Sequence, residues 1–247
     1  MSFRVVLDSC GEMTAEMKAD DRFESAALTL TVGGEDIVDD ETFNQAEFLR
    51  KVAACPECPK SACPSPERYM QGFEIEADHL YAVTLSAELS GSYNSAVLGK
   101  NLALENHPDK KIHIFNSRSA SVGETLIAQK IWECEEAGMD FETIVDTVER
   151  YIDNQSTFFV LENLETLRQN GRLSKVKALV KMVDYIAEKA EGSKDKILGI
   201  SHCNCAERAE LVKNAILERI EVKDVIVLDT AGVSSMYAND GGVIVVL

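Results

Sequence analysis

The chain has 247 residues, 45% of them hydrophobic, with 42 acidic against 25 basic residues and a formal net charge of −17. That length and apolar content suffice for one large domain or two smaller ones sharing an interface. The charge excludes nucleic acid and anionic membrane surfaces as natural partners, and it makes any anionic ligand depend on a local basic or helix-terminal trap.

Phe3 to Leu7 reads as a short buried strand ending in Asp8-Ser9-Cys10-Gly11. Ala26 to Val32 reads as a second strand, stopped by Gly33-Gly34. Thr42 to Ala54 is helical, with Phe43, Ala46, Leu49 and Ala53 recurring at helical spacing. Cys55 to Pro64 reads as a loop. Ser65-Pro66-Glu67 then opens a helix, with a capping serine, a proline at the first position and an acid in the first turn. Tyr81 to Leu85 is a strand, and Leu89-Ser90-Gly91 leads into a helix reaching Asn106. Ile112 to Phe115 is the next strand, Ser119 to Ala137 a long helix ended by Gly138, and Phe141 to Ile152 an amphipathic one. Strands alternating with helices predict a parallel α/β sheet.

Beyond Asn154 the character changes. Thr157 to Leu161, Ile197 to His202, Val225 to Asp229 and Val243 to Leu247 read as strands. Leu164 to Gln169, a basic stretch from Arg172 running into a helix to Ala190, and Ala206 to Ile220 supply helices. The expected fold is therefore α/β with two domains: residues 1–155 around a mostly parallel sheet, and residues 156–247 around a smaller sheet with helices packed on it. No charged-then-apolar leader opens the sequence, and no apolar run approaches the ~18 residues that span a bilayer, so a cytoplasmic protein without stable membrane insertion is expected. Its seven cysteines are expected as reduced thiols.

Strand ends repeatedly deliver serines, at Ser9, Ser90 and Ser117, and open α/β sheets bind ligands at the carboxyl ends of their strands. The helix starts at Ser65-Pro66 and Ser90-Gly91 leave unpaired backbone N–H groups and a partial positive charge. Two such ends, with the guanidinium of Arg172, would hold a carboxylate or phosphate. The plainer alternative is that both serines only cap helices and Arg172 is a solvated loop charge. Cys55-Pro-Glu-Cys58, Cys63 and Cys203-Asn-Cys205 have thiolate-ligand spacings, but the pairs follow different strands, and no metal site is expected. No G-x-S-x-G elbow, Walker loop or G-x-G-x-x-G occurs, which disfavours a serine hydrolase or a nucleotide enzyme.

Several segments resemble the DegV family, fatty-acid-binding proteins of the EDD fold. Leu7-Asp8-Ser9 with Glu12-Met13 resembles its opening motif, and Ser61-Ala62-Cys63-Pro64-Ser65 its Thr-Ser-Gln-Pro-Ser motif. Leu89-Ser90-Gly91-Ser92-Tyr93-Asn94-Ser95-Ala96, then Asn116-Ser117, then Asn170-Gly171-Arg172-Leu173-Ser174 follow in family order. The resemblance implies a carrier rather than a catalyst, with no cofactor and a long-chain fatty acid as ligand. It assigns the carboxylate to Ser61, Ser90 and Gly91, and the head-group mouth to Arg172, Tyr237 and Ser117. It further implies a fatty acid kinase as the partner that phosphorylates the presented carboxyl group. The alternative kept open is a small-molecule α/β enzyme using the same trap for a phosphorylated or carboxylated substrate. Three departures stand out. Ser61 replaces a threonine, Tyr237 takes the place of a histidine, and a strand-containing segment of the family is missing after Val180.

Overall fold

The computed structural model describes residues 2–161, 165–171, 183, 186, 190 and 192–247. In chain order the first elements are β1 (Phe3–Asp8), α1 (Ala15–Ala19), β2 (Phe23–Ala26), β3 (Thr29–Val32), β4 (Glu35–Val38), α2 (Gln45–Ala54), β5 (Lys60–Ala62) and α3 (Pro66–Phe73). There follow β6 (His79–Thr84), α4 (Ser92–Asn106), β7 (Lys111–Asn116), α5 (Val122–Glu136), α6 (Phe141–Asp153), β8 (Thr157–Val160) and α7 (Glu165–Gln169). The last are β9 (Ile197–His202), α8 (Ala206–Leu217), β10 (Asp224–Asp229), α9 (Gly232–Ala238) and β11 (Val243–Val246).

Sheet order explains the pattern of apolar runs. The first sheet has the order β2-β1-β6-β7 and is parallel throughout. Val5, Val6 and Leu7 of β1 and Leu80 to Val83 of β6 are all fully buried, as central parallel strands covered on both faces must be. One face packs on α5 and α6 through Ile127, Ile131, Ile144, Val148 and Ile152. The other packs on α3 and α4 through Tyr69, Phe73, Ala96 and Ala103. Gly99 lets those two helices touch: a Cβ there would lie 2.5 Å from the Pro66 carbonyl oxygen. The second sheet has the order β10-β9-β11-β8, with β10 parallel to β9, and β11 antiparallel to both β9 and β8.

Two expectations need correction. Ala26 to Val32 is not one strand. Ala26 ends β2 of the parallel sheet, whereas Thr29 begins β3 of a separate antiparallel sheet ordered β4-β3-β5. The break falls at Leu28, whose N–H donates to the Ser9 hydroxyl at 3.0 Å and whose carbonyl accepts the Asp39 N–H at 2.9 Å. Side-chain and loop groups thereby replace the ladder. Likewise Cys55 to Pro64 is not all loop, since Lys60–Ala62 pairs with β3 and sets Ser61 opposite Leu30. Gly33 and Gly34, at φ +56 and +83, make the turn between β3 and β4. Arg172 and most of the helix read up to Ala190 lie outside the described residues.

Candidate functional site

Loops at the carboxyl ends of β1, β6 and β7 form one wall of a narrow slot through Cys10, Leu85, Leu89, Ser90 and Ala120. The opposite wall comes from Phe159 of β8, Leu161, Leu167 of α7, Ile244 of β11 and the face of α9 bearing Val233, Ser234, Tyr237 and Ala238. Ser61 of β5 completes the lining. The enclosed volume is about 40 Å³, and apart from the Cys10 thiol the polar groups on it are hydroxyls. Outside it lies an open groove of about 550 Å³ bordered by Ser61, Ala62, Cys63 and residues 87–91. Ser61 and Ser90 belong to both spaces, so they stand at the neck between an apolar interior and the exterior.

Local structure positions the neck. Ser61 is half-buried on β5, and its Oγ lies 3.4 Å from the Tyr237 hydroxyl. The Ser90 Oγ accepts the Ser92 N–H at 3.2 Å, which leaves its hydroxyl proton to donate. Gly91 is the exposed N-cap of α4, and a Cβ there would approach the Cys63 Sγ to 3.3 Å. The unpaired N–H groups of the first turn of α4 thus begin at the groove. By contrast Ser65 caps α3, its Oγ accepting the Arg68 N–H at 3.3 Å, and lines neither space. The expected pair of converging helix ends is therefore one helix end and one strand. Ser117 also lies off the slot. It is buried in its own turn, with its hydroxyl donating to the Ser119 carbonyl at 3.1 Å.

Buried carboxylates hold the slot-lining helix α9 in place. Asp39 accepts the Gly232 N–H at 2.7 Å, the Val233 N–H at 2.9 Å and the Ser9 hydroxyl at 2.9 Å. A Cβ on Gly232 would come within 2.6 Å of the Asp39 carboxylate, so only glycine fits. Glu12 accepts the Ser121 hydroxyl at 2.8 Å and the Ala231 N–H at 3.2 Å. Burial pushes the Glu12 carboxyl up to about 7, and burial likewise raises Asp39 above the usual carboxylate range. Ser121 reaches Glu12 from φ +60 and ψ −135, a strained conformation for a residue with a side chain.

A second cleft, of about 130 Å³, lies away from these loops and includes Lys130, Glu133, Lys196 and Lys223 in its lining. Two of its lysines are already paired with Glu133, at 3.3 and 3.2 Å. None of the seven cysteines is in a disulfide, and no helix among the described residues is long and apolar enough to cross a membrane. Sequence reasoning named Tyr237 but missed the helix α9 that carries it and the slot contributions of Cys10, Val233, Ser234 and Ala238. The Ser9-Cys10 strand end and the Ser234-Ser235-Met236-Tyr237 stretch were the available signals.

A sequence model of the family described as "Uncharacterised protein, DegV family" matches residues 2–182. A DegV domain-containing protein of Streptococcus pneumoniae is 32% identical over 276 aligned residues, covering 99% of this chain and 98% of that protein. The solved structure of a DegV-family protein from Ruminococcus gnavus, refined with vaccenic acid, superposes with a TM-score of 0.96 at 50% identity, covering 100% of this chain and 99% of that one. The Streptococcus pneumoniae Fatty Acid Kinase (Fak) B3 protein, solved with linoleic acid, gives a TM-score of 0.87 at 28% identity, with 100% and 99% covered.

Proposed function

The chain belongs to the DegV family, and from that premise we propose that it carries one long-chain fatty acid and presents the carboxyl group at the neck formed by Ser61 and Ser90. The observation that carries this reading is the double membership of those two serines, which face both the apolar slot and the open groove. A tail drawn into the slot gains roughly 0.8 kcal/mol per buried methylene, on the order of 10 kcal/mol for palmitate before ordering costs. A carboxylate is costly to desolvate without hydrogen bonds. At the neck it meets the Ser61, Ser90 and Tyr237 hydroxyls and the first-turn N–H groups of α4 that follow Ser92, and it stays reachable from the groove.

The slot as it stands is far smaller than a long acyl chain, so binding opens it. Leu89, Phe159, Leu161 and Leu167 are the side chains that must repack. In this reading the slot lies between a unit of residues 1–155 and one of residues 156–247, and both must move apart or rearrange side chains on loading. The resemblance assigns Arg172 to the mouth, and in this reading a kinase reaches the exposed carboxyl group through the groove to form an acyl phosphate. A phosphorylated metabolite would instead require a polar cleft around the serines, whereas the lining is largely apolar.

Solvent extraction of the purified chain followed by mass spectrometry tests the carrier function. Stoichiometric recovery of a fatty acid, or saturable binding of palmitate or oleate to the extracted protein, is expected. A chain that yields no lipid and binds neither acid is not a carrier.

A further inference from the structure

Asp8, Cys10 and Glu124 meet beside the slot, with one ligand atom from each within 4.8 Å of the others and all three side chains buried. Asp8 ends β1, Cys10 follows in the next loop, and Glu124 sits in the first turn of α5. One Asp8 oxygen is fully used, accepting the Leu85 N–H at 2.8 Å and the Ser92 hydroxyl. The other accepts the Cys10 N–H at 3.1 Å and keeps a lone pair. Glu124 differs in kind: it is 0% exposed, and neither of its carboxylate oxygens has a hydrogen-bond partner.

Charge makes the arrangement unusual. Glu12 is buried nearby in the same loop, and no ion pair to Asp8, Glu12 or Glu124 occurs among the described residues. A buried carboxylate with no counter-ion, faced by the Asp8 carboxyl and the Cys10 thiol, does not persist as a bare anion; it takes up a proton or a cation. A proton shared between Glu124 and Asp8 would satisfy one oxygen of each. A metal ion would satisfy Glu124, the spare Asp8 lone pair and the thiol together.

We propose that Asp8, Cys10 and Glu124 form a binding site for one divalent cation of the zinc class, beside the fatty-acid slot. Two carboxylate oxygens and one thiolate suit a borderline-soft ion, whereas magnesium and calcium favour oxygen alone. Three protein ligands leave a fourth position for water. The ligand atoms must close to about 2.0–2.3 Å from the ion, and the Glu124 carboxylate, held by no geometric hydrogen bond, is the group that must shift. Binding expels the Cys10 thiol proton and any proton on Glu124 to solvent, so charge and atoms balance. The ion would tie the end of β1 to the first turn of α5, with Cys10 as both ligand and slot wall.

The test uses the full chain, stripped with chelator and titrated with Co²⁺ and then Zn²⁺. One equivalent of Co²⁺ is expected to produce thiolate-to-cobalt charge-transfer absorption, displaced by Zn²⁺. Cys10→Ser should remove that absorption and Cys58→Ser should leave it. Glu124→Gln should weaken Zn²⁺ binding by at least ~10-fold. In the unmutated chain, the protonated-carboxyl infrared band that Glu124→Gln lacks should vanish on adding Zn²⁺. No cobalt band and no Zn²⁺ binding overturn the site, as does a band that survives Cys10→Ser. A protonated-carboxyl band that is lost in Glu124→Gln yet indifferent to Zn²⁺ overturns it, and assigns the pocket to a shared proton instead.

Discussion

Asp39→Ala probes how the slot-lining helix is held. The carboxylate gathers two backbone N–H groups at the start of α9 and the Ser9 hydroxyl, and it is only 3% exposed. Removing it leaves three buried donors, each costing about 1–3 kcal/mol when unpartnered. Part is offset, because the deleted anion was itself unfavourably buried, as its raised pKa records. A net loss of about 3 kcal/mol follows, and a chain of this size shifts by about 2–4 °C per kcal/mol. Thermal unfolding should therefore fall by roughly 6–12 °C. Val233, Ser234 and Tyr237 ride on α9, so palmitate affinity should fall as well. Gly232→Ala forces a Cβ against the same carboxylate and should reproduce both effects. Asp39→Ala melting within about 2 °C of the parent, with unchanged palmitate affinity, would refute the claim that this contact holds α9 to the slot.

The double substitution Ser61→Ala with Ser90→Ala should weaken palmitate binding by about tenfold to a hundredfold, from two lost hydrogen bonds to a charged group at roughly 1 kcal/mol or more each; calorimetric titration giving parental affinity clears both residues. Arg172→Ala should leave lipid uptake intact and slow phosphorylation of the bound acid by a fatty acid kinase, and undiminished phosphorylation contradicts its place at the mouth. Glu12 has a native pKa of about 7 against an ordinary 4.5, so the folded chain holds a proton that the unfolded chain releases between those values. Its stabilising contribution is complete below pH 4.5 and is lost as pH rises through 7, on the order of 3 kcal/mol. With chelator present, the stability difference between Glu12→Gln and the parent should change across that window; a difference constant with pH removes Glu12 from the account.

The parallel sheet was legible because β1 and β6 are short runs apolar on both faces that end in serine loops, so run length and flanking turn signals mark them as buried strands. Ser90 at the start of α4 could be read for the same reason. Ser61 could not be placed by spacing. Its strand has three residues, sits amid prolines and cysteines, and exists only because β3 offers it a partner. The split of Ala26 to Val32 was hidden because the Ser9 and Asp39 groups that satisfy Leu28 come from distant segments. Helix α9 carries Gly-Val-Ser-Ser at its start, a poor helix-forming run, and depends on the caps supplied by Asp39 and Glu12. Glu124 looked like an ordinary first-turn acid, and only the near-complete burial of the first turns of α5 distinguishes it.

The lining of the slot runs from Cys10 to Ile244. A nascent chain on the ribosome therefore lacks part of the wall until Ile244 has emerged. Contacts so distant in sequence form late, and a guest that recognises only the finished enclosure pulls the population toward it by mass action. On the proposed function, loading therefore doubles as a checkpoint on the pairing of β11.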